Sequence, residues 1–249
     1  MKDAVVLIGI GEMGGVFGRG ILKSGHPVYP VTRKNPPDAV VKDVPEPEAV
    51  VVAVGEKDLQ AVLDAVPDGW KDRLVLLQNE LLPKDWEQHG LTPTVISVWF
   101  EKKPGQDAKV IVPSPVFGPK ADLISGALDA IGIPCNVLRN EDELLFELIL
   151  KNLYILTVNT AGLKVGGTVG ELWNDHQDFA VAVANDVLDL QFYLAGREFD
   201  RQKLINGMAA AFEGDKDHKC MGRSAPARLE RALAQAREAG LDVPALKKI

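Results

Sequence analysis

The segment Gly9-Ile10-Gly11-Glu12-Met13-Gly14 follows directly on the uninterrupted apolar run Ala4-Val5-Val6-Leu7-Ile8. A β-branched and aliphatic run without polar breaks is what a strand buried on both faces shows, and such strands belong to parallel sheets covered by helices. Beyond the glycines, Val16, Phe17, Ile21 and Leu22 recur with helical spacing until Ser24-Gly25-His26-Pro27 stops the helix, and Val28 to Val31 resumes as a strand. The spacing predicts a β-α-β unit. In that setting Gly9 permits a tight turn, Gly11 lets backbone approach a pyrophosphate, and Gly14 allows the helix to pack on the strand. Gly18 extends the same smooth face. The helix start at Glu12 and Met13 offers N–H groups and a positive dipole end to the same anion. A glycine-rich turn without a ligand is the plainer alternative.

Cofactor choice in such a unit is written at the end of the second strand, where an acid would accept hydrogen bonds from a ribose 2′-OH. This chain has Thr32-Arg33-Lys34 there and no acid. A hydroxyl followed by two cations suits a 2′-phosphate, so NADP(H) is expected over NAD(H), against the alternative that the pair is only a solvated loop.

The remaining sequence up to residue 139 alternates in the same way. Asn35 to Pro47 holds four prolines, so the second helix should be shortened or replaced by a loop. Ala49 to Gly55 reads as a buried strand, Lys57 to Val66 as a helix, and Arg73 to Leu77, Val95 to Trp99 and Lys109 to Val112 as strands. Lys120 to Ile131 reads as a helix leading to a strand at Pro134 to Leu138. Past Asn140 only helical periodicity remains, over 141–163, 170–195, 200–212 and 225–239. The expected fold is α/β, a Rossmann-like doubly wound and mostly parallel sheet over 1–139, followed by an all-helical domain over 140–249. The apolar stripe Phe179 to Leu194 looks too long for one short partner helix and suggests a homodimer.

With 28 Lys plus Arg against 35 Asp plus Glu, the net charge of -7 provides no basic footprint for nucleic acid. The N-terminal apolar run is far shorter than the roughly 20 residues that cross a bilayer and has no basic flank or cleavage site, so neither a span nor a leader is expected. Cys135 and Cys220 are too few for a disulfide framework, which points to a reducing cytoplasm. His26, His89, His176 and His218 lack ligand spacing, and no metal is expected. Trp99, Phe100 and Phe117 read as core rather than cleft lining.

GIGEMG behind a strand, VVVAVGEKDL, Gln78-Asn79 at a strand end and a helical half with Lys151 near its start together resemble ketopantoate reductases and the wider 6-phosphogluconate and β-hydroxyacid dehydrogenase group. The resemblance implies that Val54 and Gln78 line the cofactor and that Asn79 lies close to nicotinamide and substrate. It also implies that Lys151 protonates the forming alcohol and that Asn159 helps orient the carbonyl. Glu80 replaces the glycine of the family's Gln-Asn-Gly, and Ile155 stands where the family has the first of two amides. Lys219-Cys220-Met221 resembles the family's Ser-Ser-Met and Gly222-Arg223 its Gly-Arg, with Pro226 where an acid is expected; Gly240 to Leu246 resembles its closing segment. These departures fall on substrate positions.

The residues themselves also single out Lys151. Leu144, Glu147, Leu148, Lys151, Ile155 and Asn159 share one stripe of a strongly apolar helix. A lysine there loses hydration, its pKa falls, and it becomes a proton donor to an alkoxide, unless it snorkels to solvent beside Asn152. The functional expectation is an NADP-dependent oxidoreductase acting on a small carbonyl compound. The alternative is a dinucleotide-binding protein without turnover, in which the cofactor is sensed or structural.

Overall fold

The computed structural model describes residues 2–249. The first compact unit ends at Leu145 and the second is Phe146–Ile249. In the first, β1 (Val5–Ile8), α1 (Glu12–Lys23) and β2 (Val28–Val31) form the opening β-α-β unit. They are followed by α2 (Pro37–Asp43), β3 (Ala49–Val52), α3 (Leu59–Asp64), β4 (Leu74–Leu76), α4 (Lys84–Glu87) and β5 (Thr94–Ile96). Then come β6 (Phe100–Glu101), β7 (Lys109–Val110), β8 (Ser114–Phe117), α5 (Ala121–Asp129) and β9 (Cys135–Val137). Seven strands form one sheet in the order β2-β1-β3-β4-β5-β8-β9, and β6 pairs with β7 alone.

The pairs β1 with β2, β1 with β3, β3 with β4 and β4 with β5 are parallel. All residues of β1 and β3 are buried, as a strand covered on both faces requires, whereas edge strand β2 exposes Tyr29 and Pro30. α1 lays Val16, Phe17 and Ile21 into a core shared with Val51, Val75 and Ile96. It also packs closely on α5: a Cβ at Gly20 would stand 2.3 Å from the carbonyl oxygen of Ala127. Phe17 and Phe100 meet with ring centroids 6.1 Å apart.

The second helix is shortened as expected, one strand is added and one expected helix is divided. The second helix survives as the seven-residue α2, opened by proline at a first-turn position where its missing N–H costs nothing. Within Pro113 to Pro119 lies β8, a strand that the sequence pattern did not single out, antiparallel to β5 and parallel to β9. Its prolines hide it from any strand pattern, yet Pro115 still serves the ladder through its carbonyl, which accepts from Ser97 N at 2.9 Å. The helix read over 170–195 is two helices, interrupted at His176.

The second unit contains most of α6 (Glu141–Val165), with α7 (Val169–Asp175), α8 (Gln177–Ala195), α9 (Arg201–Gly214) and α10 (Ala225–Glu238). The division falls after Leu145 rather than at 139. The first turn of α6 is tied backwards: Asn140 Oδ1 accepts from Glu143 N at 2.9 Å, and the Glu143 carboxylate accepts from Arg139 N and Nε at 3.0 and 2.8 Å. By length and composition α6 could cross a membrane, but 72% of its most apolar stretch is buried inside the protein. It also carries buried Lys151, Asn152, Thr157 and Thr160, which mark it as the central helix of this unit.

α7 opens with a capping box between Thr168 and Glu171, and α8 ends on Gly196 in the left-handed region. Buried Asp186 on α8 accepts from the backbone N–H groups of Ala245 and Leu246 at 2.7 and 2.9 Å, which fastens the C-terminal segment. Val183, Val187, Leu188 and Leu190 of α8 are fully buried within the one chain. The argument for a homodimer from an uncovered apolar stripe is therefore weakened: the chain itself covers most of the stripe, with Tyr193 left exposed.

Candidate functional site

Four adjacent parallel strands, β2-β1-β3-β4, end toward one edge, and the residues just beyond them are Thr32, Gly9, Ala53 with Val54, and Gln78. The chain passes from β1 outward to β2 and then crosses to β3 on the other side of β1, which makes this edge a switch point of an open α/β sheet. Ligands of such sheets bind there because the loops diverge and leave a crevice.

The glycines divide the work as the sequence suggests. Gly9 has φ 91°, and a Cβ on it would lie 2.7 Å from the carbonyl oxygen of Ala53. A Cβ on Gly14 would lie 2.1 Å from the carbonyl oxygen of Gly9, so both glycines are required by packing alone. Gly11 differs, with nothing within 4 Å of its Cβ position. It is also the N-cap of α1, in extended conformation and without a side-chain cap on the helix N–H groups. The fold does not need a glycine there, whereas a phosphate approaching the helix start does. Met13 packs into the core, and the Glu12 carboxylate accepts from Lys102 Nζ at 2.9 Å, so the loop presents backbone amides with its one acid already neutralised. The glycine loop thus fits a dinucleotide pyrophosphate.

Beyond β2 the chain makes a tight reversal. Thr32 and Asn35 exchange backbone hydrogen bonds of 3.0 Å each, and Thr32 Oγ1 accepts from Asn35 N at 3.2 Å. Arg33 and Lys34 stand exposed at its tip. No carboxylate is paired with either among the described residues, a disposition suited to a ribose 2′-phosphate.

Gln78 is buried, and its carboxamide is spent on backbone. Nε2 donates to Val52 O at 2.7 Å and Val54 O at 3.3 Å, and Oε1 accepts from Leu77 N at 3.1 Å. The side chain clamps the ends of β3 and β4 and sets the backbone from which exposed Asn79 projects. Glu80 follows at φ 61°, and it is the single non-glycine residue with positive φ among the described residues. It retains the left-handed conformation that a glycine adopts cheaply and an L side chain holds at a cost of roughly 1 kcal/mol.

In the helical unit, Lys151 is buried, 9% exposed, with Nζ 5.7 Å from the centroid of the Tyr154 ring. Burial first, and then the positive charge of Arg228, hold its pKa down to about 7. Ile155, 7% exposed, follows one turn later, and Asn159 one turn after that. Asn159 Oδ1 accepts from Arg228 Nη1 of α10 at 3.0 Å. Asn152 faces elsewhere and donates to Gln191 at 2.9 Å within the core. The segment carrying Cys220 also reaches α6: Cys220 N donates to Gly167 O at 3.1 Å, and a Cβ on Gly162 would stand 2.6 Å from Cys220 Cβ. Gly162 is one turn beyond Asn159, so the Lys219 to Met221 segment lies beside the polar end of the stripe. Burial pushes the thiols of Cys135 and Cys220 up to about 11, which leaves them poor nucleophiles. Trp99 and Phe100 are core, at 1% and 5% exposure.

Arg228 is the residue the sequence reading missed, because on an Ala/Arg/Glu helix it resembles any other solvated charge. Lys102 was missed too, since only folding brings it against Glu12.

No family model and no curated protein matches the sequence. Solved structures do match. A 2-dehydropantoate 2-reductase from Methylococcus capsulatus superimposes with TM-score 0.69 at 13% identity, over 98% of this chain and 94% of that one. A dimeric ketopantoate reductase from Staphylococcus aureus matches with TM-score 0.69 at 18% identity, over 98% and 95%. A D-mandelate dehydrogenase solved with NADH and anilino(oxo)acetate matches with TM-score 0.68 at 12% identity, again over 98% and 95%. The chain has the fold of the ketopantoate reductases, as the motif resemblance implied.

Proposed function

We propose that this protein is an NADP(H)-dependent oxidoreductase that interconverts a small oxo acid and its hydroxy acid. The observation that carries the reading is a buried lysine, Lys151, with a pKa of about 7, on one helical stripe with an amide that an arginine holds in place. A group poised near neutrality inside an apolar unit is suited to proton transfer and costly to keep otherwise. The likeness to keto-acid reductases and a mandelate dehydrogenase in fold supports it.

Gly9, Gly11, Gly14 and the first amides of α1 would hold the pyrophosphate, Arg33 and Lys34 the 2′-phosphate, and Val54 the wall beside the glycine turn. When bound, the reduced cofactor supplies a hydride to the carbonyl carbon. As the C=O π pair moves onto oxygen, the Lys151 N–H bond breaks and its proton passes to that oxygen, leaving a neutral amine and a hydroxy acid. On this reading Asn159 orients the carbonyl beside Lys151, Asn79 belongs to the nucleotide-binding edge, and catalysis is positioning plus proton donation. A cytoplasmic, dimeric enzyme fits the two unpaired thiols and the dimeric S. aureus neighbour.

Ile155 favours a second reading, a dinucleotide-binding protein without turnover, because it places an apolar side chain between Lys151 and Asn159. A panel of oxo acids, aldehydes and imines, followed by NADPH absorbance, separates the two. Turnover of oxo acids is expected, with ketopantoate a poor substrate beside Ile155; no turnover on any member rejects the enzyme. In titration calorimetry NADPH should bind on the order of tenfold or more tighter than NADH, the worth of one charge-assisted contact. Arg33→Ala should erase most of that preference and leave NADH binding intact, whereas equal wild-type affinities would remove the 2′-phosphate assignment.

A further inference from the structure

The β6-β7 hairpin is tied to α1 by two contacts between residues far apart in sequence. Phe100 meets Phe17 with ring centroids 6.1 Å apart, and Lys102 Nζ donates to Glu12 Oε2 at 2.9 Å. From Phe17 back to Glu12 the helix falls by about 7.5 Å, and from Phe100 on to Lys102 an extended chain advances by about 6.6 Å. The hairpin therefore runs along α1 toward its first turn. Lys102 is brought to the end of a helix that a cation ordinarily avoids, the positive pole, where the N–H groups lack partners and Gly11 supplies no side-chain cap. Its side chain is folded down to 21% exposure, whereas that of Lys103 keeps 57% and pairs with Glu101 at 2.9 Å. Holding a lysine in one place costs rotamer entropy, and placing it against the dipole breaks a local charge rule. Such breaks collect where a ligand of opposite charge is received.

We propose that Lys102 is a phosphate-binding residue of the dinucleotide site: the hairpin delivers its ammonium to an oxygen of the pyrophosphate that the α1 amides receive. This rests on the dinucleotide reading above. Of the three ammonium protons, one goes to Glu12 Oε2 and one to Lys103 O at 2.8 Å, which leaves the third for an anion. The glycine loop offers amides and the partial charge of a helix pole, while a pyrophosphate carries two negative charges, so a full positive charge beside the loop strengthens the hold. The pyrophosphate is common to NADPH and NADH. Lys102 therefore sets the affinity for both and the preference for neither, which is left to Arg33 and Lys34.

Titration calorimetry with NADPH and NADH on the full chain tests this. Lys102→Met should weaken both nucleotides by the same factor, about tenfold or more, the worth of one charge-assisted hydrogen bond, and leave their ratio as in wild type. The plainer alternative is that Lys102 only neutralises Glu12. The double variant Glu12→Gln/Lys102→Met separates the two, because it has no carboxylate left to neutralise and the net charge of wild type. Its affinity should stay well below wild type for both nucleotides; restoration to the wild-type value overturns the proposal. Undiminished binding in Lys102→Met overturns it too, and a loss confined to NADPH does the same by moving Lys102 to the 2′-phosphate. Lys102→Arg keeps the charge and should retain most of the affinity, which carries the comparison if the methionine variant melts early. Added KCl should weaken NADH binding more steeply in wild type than in Lys102→Met, since the variant has one ionic contact fewer to screen. A wild type that binds neither nucleotide instead sinks the dinucleotide reading on which this one stands.

Discussion

Lys151→Ala should lower kcat on any accepted substrate by on the order of 10²-fold or more and leave NADPH affinity unchanged, because a general acid is lost and the nucleotide site is untouched. Undiminished turnover would remove Lys151 from the mechanism. The pH dependence follows from its pKa of about 7 against an ordinary 10.5. Carbonyl reduction needs the protonated amine, so its rate falls as pH rises through about 7, and alcohol oxidation, which needs the neutral amine, rises over the same interval. Stability has its own sign. The folded-state pKa is depressed, so between about 7 and 10.5 the unfolded chain holds more protons and stability grows with pH. Below about 7 both states are protonated, and the full penalty of the buried charge is present, on the order of 5 kcal/mol. Lys151→Met, similar in shape and without charge, should therefore raise the urea midpoint at pH 6 and lose that advantage toward pH 10. A methionine variant no more stable than wild type at pH 6 would mean that Lys151 is hydrated in solution.

Gly14→Ala should unfold the glycine loop at a cost of roughly 1–3 kcal/mol or more and abolish dinucleotide binding, because the new methyl would meet the Gly9 carbonyl oxygen at 2.1 Å, a backbone atom that cannot swing aside. Gly11→Ala is the informative partner. With nothing within 4 Å of its Cβ, it should keep the wild-type melting temperature and still weaken NADPH and NADH alike, since the methyl occupies the approach to the helix start. Thermal unfolding together with calorimetry on both variants separates the packing glycine from the ligand glycine. Wild-type NADPH affinity in Gly11→Ala would mean that the loop does not hold the pyrophosphate.

The candidate nucleotide-binding residues of the first unit were more readable than the polar stripe of the helical unit, and the reason is the range of the determining interactions. The glycine positions, the exposed Arg33-Lys34 tip and the strand before them lie within thirty-odd residues and are set by neighbours in sequence. Gln78 illustrates the limit. Its place after a strand was recognised, but its carboxamide is committed to Val52 at the end of another strand and to Val54 just beyond it, which no local pattern states. Glu80 shows the opposite case: its positive φ was foreshadowed by the glycine it replaces.

What the sequence determined by itself was whatever rests on chain geometry and nearest neighbours: the doubly buried first strand, the turn that only glycine makes cheaply, the change from alternating elements to helices after residue 140, and the stripe bearing Lys151, Ile155 and Asn159. Tertiary structure alone decided that β8 pairs on both sides despite Pro115, that α8 is covered without a second copy, and that Arg228 meets Asn159 across sixty-nine residues. It also decided the depth at which Lys151 is buried, and so its pKa. Pairing, coverage and pKa depend on which surfaces the fold brings into contact and how much water it leaves between them. Those quantities are properties of neighbours in space, and neighbours in space are written nowhere along the chain.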